Sequence, residues 1–133
     1  MSEWVLLLGG STGHGAATAK KLAKDGYGII AFHFDRGEAK KIAEETINEV
    51  NELTSGKCHY FNTNAAAEET IDKHLPEIQK ITNGKPLKLL LHSIAFGTTT
   101  NFFGEKPVTQ RQMDMTVHVM GNSLLYWTQK LFS

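Results

Sequence analysis

Apolar residues along this chain gather in four short runs, and between the runs they return at every third or fourth position. The runs are Val5–Leu8, Ile29–Phe34, Cys58–Phe61 and Leu87–Leu91. Short, mostly apolar runs of this kind read as strands covered on both faces. The first helix is expected over Gly13–Lys24, closed by Asp25-Gly26. The second spans Gly37–Leu53, where Ala39, Ile42, Ala43, Ile47, Val50 and Leu53 form one stripe at helical spacing, and Ser55-Gly56 ends it. The third, Ala66–Thr82, carries Ile71, Leu75, Ile78 and Ile81 and stops at Asn83-Gly84-Lys85-Pro86. A loop from Phe96 to Val108 leads to a last helix from about Thr109 to the chain end. Thr109 and Gln112 have the spacing of a capping box, which fixes that start. No repeat, low-complexity tract or linker interrupts the series.

Four strand–helix alternations predict an α/β fold with a Rossmann-type parallel sheet and helices on both faces, one domain over residues 1–133. Right-handed crossovers put the first strand in the centre and give the order 3-2-1-4. A ligand crevice is then expected above the carboxyl ends of strands one and four.

The turn after the first strand reads Gly9-Gly10-Ser11-Thr12-Gly13-His14-Gly15. Glycines there allow positive φ and leave no Cβ in the way of a close ligand. Amides at the following helix start point at an anion in the turn, aided by the helix dipole. Strand, glycine turn and helix at the start of a chain are how a dinucleotide site is built. A tight connection with no ligand is the bland alternative.

Charge and composition narrow the field. Lysine plus arginine balance aspartate plus glutamate at 14 each, so nucleic acid and acidic membrane surfaces have no electrostatic case as partners. The apolar runs are far too short to span a membrane. Met1–Trp4 has no signal-peptide character, and the lone Cys58 reads as a small apolar strand residue, so a cytoplasmic location is expected. The histidines at 14, 33, 59, 74, 92 and 118 include no i, i+4 pair, and no metal site is expected. The absence of G-x-x-x-x-G-K-[ST] argues against a nucleotide hydrolase.

With Gly9, Gly13 and Gly15 after strand one and Leu89-Leu90-Leu91-His92-Ser93-Ile94-Ala95 at strand four, the chain resembles the short-chain dehydrogenase/reductase family along its whole length. Leu8 stands where that family often has threonine, and Asn64 where it usually has an aspartate near the adenine ring. His92-Ser93-Ile94-Ala95-Phe96 departs from the usual Asn-Asn-Ala-Gly and is similar to the enoyl-acyl-carrier-protein reductase branch. The glycine motif is similar to ketoreductase-type members, which leaves the branch open. Val117-His118-Val119-Met120-Gly121 lines up with the family's Val-Asn-Val-x-Gly, so His118 replaces the asparagine that helps order a proton-relay water.

The resemblance implies hydride transfer from NAD(P)H to a carbonyl or an enoyl thioester in the intact enzyme, with a small-molecule or acyl-thioester substrate. Gly9, Ser11, Thr12, Gly13, His14 and Gly15 would then cradle the pyrophosphate. His33, Phe34 and Arg36 would edge the ribose, Asn64 and Ala65 the adenine, and Ser93, Ile94 and Ala95 the cofactor's other ribose. His118 would be the catalytic contribution of this half.

Several of these residues have a second reading. The His14 ring either adds a donor to the pyrophosphate site or points along the helix surface. Asp35 lies 20 residues after Gly15, as a ribose-binding acid does, but its spacing to Glu38 predicts a capping box for the second helix, with His33 at the family position. Arg36 can pair with an adenosine 2′-phosphate or be a solvated charge; the first makes NADP the expected cofactor ahead of NAD. Phe102 and Phe103, in the long loop, are expected to cover the core rather than to face an acyl substrate.

In the family a serine and a Tyr-x-x-x-Lys beyond a fifth strand do the acid–base chemistry, and that part of the fold is expected to be missing from this chain. Tyr126-Trp127-Thr128-Gln129-Lys130 matches the spacing. It follows His118 on the same helix by about 12 Å at 1.5 Å per residue, which should carry it away from a crevice faced by His118. Val117, Leu124, Leu125, Trp127 and Leu131, with the leucines of strand four, are left without a cover, so a homo-oligomer or a complementing chain is expected. A dinucleotide-binding module without catalysis, or a partner subunit, is the second reading. A flavodoxin- or receiver-like domain is the third, weakened because Leu8 and His92 stand where a receiver needs acids.

Overall fold

The computed structural model describes residues 3–132. Its strands are β1 (Trp4–Leu8), β2 (Gly28–His33), β3 (Cys58–Asn62) and β4 (Leu89–His92). They form one parallel sheet in the order β3-β2-β1-β4. Three helices alternate with them: α1 (Gly13–Lys24), α2 (Glu38–Leu53) and α3 (Glu68–Thr82).

Side chains alternate across a strand, so each sheet face collects its own apolar set. Leu6, Leu8, Ile30 and Phe32 pack with Ile71 and Ile78 of α3. Val5, Leu7, Ile29 and Ala31 pack with Ala19 and Ala23 of α1 and Val50 of α2 on the other face. All of β2 is buried, which is why its sequence is a run rather than an alternation.

The last helix departs from expectation. Thr109 does cap it, accepting from the Gln112 amide at 3.2 Å while Gln112 accepts from the Thr109 amide at 2.9 Å. But α4 runs only over Gln110–Val117; a π turn follows at His118–Asn122, and α5 spans Ser123–Phe132. Trp127, expected to lack a cover, is fully buried against Phe32 and donates its indole N–H to the Ala65 carbonyl at 2.8 Å. Val117, Leu124 and Leu125 are indeed exposed.

Three further expectations fail on packing. Asp35 does not cap α2, whose N-cap is Gly37 with no side-chain bond. Ile42 and Ala39 lie on α2 outside the stripe that reaches the sheet, and both are exposed. Phe102 and Phe103 cover no core: they are 71% and 88% exposed.

Candidate dinucleotide site

A cavity of about 440 Å³ lies at the carboxyl ends of the strands. Its floor and one wall are Gly9, Ser11 and Thr12 after β1, and Phe32, His33 and Phe34 at the end of β2. Thr63, Asn64 and Ala65 after β3, and Ser93 to Phe96 after β4, continue the lining, and Met115 and Val119 close it from the last helical segment.

Two glycines build this corner by omission. A Cβ on Gly9, whose φ is +92, would overlap the Ser93 carbonyl, and one on Gly15 would overlap the Gly9 carbonyl. The strand-one turn, α1 and the strand-four tail can therefore close on one another only as drawn. Gly13 differs. Its φ is +54 and a Cβ there would meet nothing within 4 Å, so the space over the helix start is open. The first amides of a helix have no intrahelical acceptor. The first turn of α1 carries no acidic side chain to compete for them. A phosphate group fits this cradle.

Beside it stands a polar cluster that sequence spacing had put to another use. Asp35 Oδ2 accepts from Ser11 Oγ at 2.6 Å and from His33 Nδ1 at 2.8 Å. The Asp35 amide donates to Asn62 Oδ1 at 3.1 Å, and Asn62 Nδ2 donates to the Asp35 carbonyl at 3.1 Å. Asp35 thus ties the glycine turn to the ends of β2 and β3, instead of starting α2. A carboxylate only accepts, so His33 Nδ1 carries a proton. Tyr60 adds a bond from its hydroxyl to the Gly10 carbonyl at 2.9 Å, and burial raises its phenol well above the usual range. The Arg36 guanidinium stacks over the Phe34 ring at 4.8 Å, at the cavity's rim.

Of the residues singled out in the sequence, Gly9, Ser11, Thr12, His33, Phe34, Asn64, Ala65, Ser93, Ile94 and Ala95 come together around the cavity. Gly13, His14 and Gly15 sit at the start of α1, outside its lining; the His14 side chain is exposed and Gly15 is a packing contact. His118 does not face the cavity. It lines a shallow hollow with Gln110, Arg111, Asp114 and Met115, its ring 6.0 Å from that of Tyr126. Met115 and Val119, four apart on one helical face, take the place expected for it. Tyr126 lies outside the lining, and Lys130 pairs with Asp72 of α3 at 3.0 Å. Phe32, Thr63, Met115 and Val119 were not anticipated, although the i, i+4 spacing of the last two was a usable signal. Phe96 enters the sequence reading only as part of a motif.

Other chemistry is thin. Among the described residues no group of three or more His, Cys, Asp or Glu side chains could hold a metal, and no helix is long and apolar enough to cross a membrane. Burial pushes the Cys58 thiol up to about 11, which keeps it protonated and unreactive.

The model of the short chain dehydrogenase family matches residues 3–133. The chain belongs to that family. Members of that family are, in general, NAD(P)-dependent oxidoreductases. No curated protein matches the chain. A short chain dehydrogenase from Bacillus anthracis superposes with a TM-score of 0.73 at 18% identity, over 98% of this chain and 48% of its own. The short-chain dehydrogenase/reductase from Serratia marcescens gives 0.78 at 21% identity, over 98% and 49%. Cj0485 dehydrogenase gives 0.79 at 14%, over 98% and 46%. These likenesses show the fold, and the chain spans about half the length of each of those structures.

Proposed function

We propose that this chain is the dinucleotide-binding half of a short-chain reductase, which in the intact enzyme passes hydride from a reduced nicotinamide cofactor to a carbonyl or an enoyl thioester. The observation that carries this is the convergence, on one cavity, of the glycine turn, the β2 and β3 ends and the strand-four tail. The bound cofactor supplies the hydride; this chain's residues bind and orient it. The open cradle at Gly13 takes the pyrophosphate, with Ser11 and Thr12 beside it. His33, Phe34 and Arg36 edge the adenosine ribose, Asn64 and Ala65 the adenine, and Ser93, Ile94 and Ala95 the second ribose.

Arg36, held over Phe34 at the rim, supports NADP ahead of NAD, because its guanidinium can reach outward to a 2′-phosphate. The His92–Phe96 run supports the enoyl reductase branch, with an acyl thioester as substrate, and the apolar Phe96, Met115 and Val119 at that end of the cavity suit such a chain. A dinucleotide-binding module without catalysis is the second reading, favoured by Tyr126 and Lys130 lying off the cavity.

Calorimetric titration of NADPH tests the site. Gly13→Val puts a branched side chain into the open cradle and is expected to weaken binding about tenfold or more, roughly 1.4 kcal/mol. Circular dichroism confirms that the variant, whose φ suits only glycine, is folded at the titration temperature. Undiminished affinity in the folded variant refutes the site.

A further inference from the structure

The proton count at one buried serine reveals a link between the two sides of the cavity. Ser123, at the start of α5, is fully buried. Its Oγ lies 2.7 Å from the Val119 carbonyl and 2.8 Å from His92 Nε2. A carbonyl oxygen can only accept, so the single hydroxyl proton is spent on Val119. Ser123 Oγ must therefore accept from His92, which makes the imidazole an Nε2–H donor. Burial pushes the His92 pKa down, in keeping with a neutral ring.

Neither His92 nor Ser123 lines the cavity, but each adjoins a segment that does. His92 is the last residue of β4, in register with Leu8, and the Ser93 amide donates to the Leu8 carbonyl at 2.8 Å. The chain leaves His92 directly into the Ser93–Phe96 wall. Val119 faces it from the π turn. In an α-helix the Ser123 amide would bond the Val119 carbonyl; in the π turn it is directed to the His118 carbonyl, and the Ser123 hydroxyl takes Val119 instead. The link joins segments 31 residues apart in the sequence.

We propose that His92 is a positioning residue for the cavity: through Ser123 it holds the strand-four wall against the π turn that carries Val119. The effect on binding rests on the dinucleotide reading above; the link itself does not. It also gives a physical reason for a histidine and a π turn to occur together here. The ring reaches across a gap that a shorter side chain could not span, and the displaced amide frees the carbonyl that orients the serine proton.

Four forms of the chain test this. His92→Phe keeps the ring volume and removes the donor, Ser123→Ala removes the acceptor, and His92→Gln restores an N–H at similar reach. In the ligand-free protein, His92→Phe and Ser123→Ala should each speed amide hydrogen exchange in both 93–96 and 117–123. The double variant should add nothing, because both changes break one link. His92→Gln should return both segments toward the parent. NADPH affinity, measured where all forms are folded, should fall about tenfold in His92→Phe and recover in His92→Gln.

A merely structural histidine would lower the melting temperature while leaving affinity and the paired exchange response unmoved, and that outcome overturns the proposal. So does a response confined to one segment, or strict additivity of the two single changes. Imidazole nitrogen shifts in the unmutated protein must report the Nε2–H tautomer; the opposite tautomer refutes the link without any variant. Paired exchange with no binding of NADPH or NADH would instead overturn only the dinucleotide reading and leave the link standing.

Discussion

Asp35 shows how one side chain is decided by partners that lie far off in sequence. Its spacing to Glu38 suits a cap, yet Ser11 and His33 claim its carboxylate. Two bonds to an ionised acceptor at a half-closed corner outweigh an exposed cap, since hydrogen bonds to charged groups contribute about 1.5–3 kcal/mol against roughly 1 kcal/mol for a cap. With Asp35 so engaged, Arg36 is the charge left at the rim. Arg36→Ala is expected to lower NADPH affinity about fivefold, on the order of 1 kcal/mol for an exposed contact, and to leave NADH affinity unchanged. An unchanged NADPH-to-NADH ratio would make Arg36 a flanking charge only. His92 supplies a second test at this scale. Its folded pKa is lowered by burial, so the unfolded chain takes up the proton first. The stability it contributes is present above the ordinary histidine range and is lost as pH falls from about 6.5 through the folded value. Thermal melts at descending pH should show a loss that is smaller in His92→Gln, whose amide does not titrate.

At the scale of elements, legibility followed periodicity. The first three helices could be read because each buries one face at helical spacing, and the four strands because each is a short apolar run; only their ends moved by a few residues. The second helix was overread: Ile42 fits a 3.6 spacing, but the buried line is Ala43, Thr46 and Val50, with Leu53 packed partly buried against the same core. The π turn left no sequence signal, because one residue inserted into a helix changes which amide meets which carbonyl without altering composition. It mattered most at the site, since His118 was placed by motif register and the helical face presented to the cavity belongs to Met115 and Val119. The strand-end residues of the site were legible because parallel strands must deliver their following residues to one edge. The Thr109 cap was legible from local chemistry alone. Thr109→Ala should cost about 1 kcal/mol, read as a lower urea midpoint with an unchanged slope. It should leave NADPH binding intact, because α4 begins away from the cavity; a loss of binding would tie that helix start to the site.

For the whole molecule, both faces are covered over the central strands while the edge strands β3 and β4 each pair on one side only, and the β4 edge is the more apolar of the two. Among the described residues β4 pairs only with β1, Leu89 at the edge is 39% exposed, and Val117, Leu124 and Leu125 lie exposed on the last helical segment. An open parallel edge beside exposed apolar side chains invites pairing with another chain. Residues 1–133 made alone are therefore expected to associate, as a homo-oligomer or with a complementing chain, and sedimentation should show species above the 14.7 kDa monomer. The same residues should not oxidise NADPH with carbonyl or enoyl substrates. Acid catalysis needs a donor within hydrogen-bond reach of the reacting atom. Tyr126 instead lies outside the cavity lining with its ring against His118, and Lys130 is held by Asp72, which raises its pKa and gives it a partner other than the tyrosine. A hydride-transfer assay on a single sedimenting species, with Tyr126→Phe beside it, decides the point. The expected result is no turnover in either form. Turnover that disappears in Tyr126→Phe would show that association brings Tyr126 to a cavity, its own or a neighbour's, and that the catalytic pair lies within these residues after all.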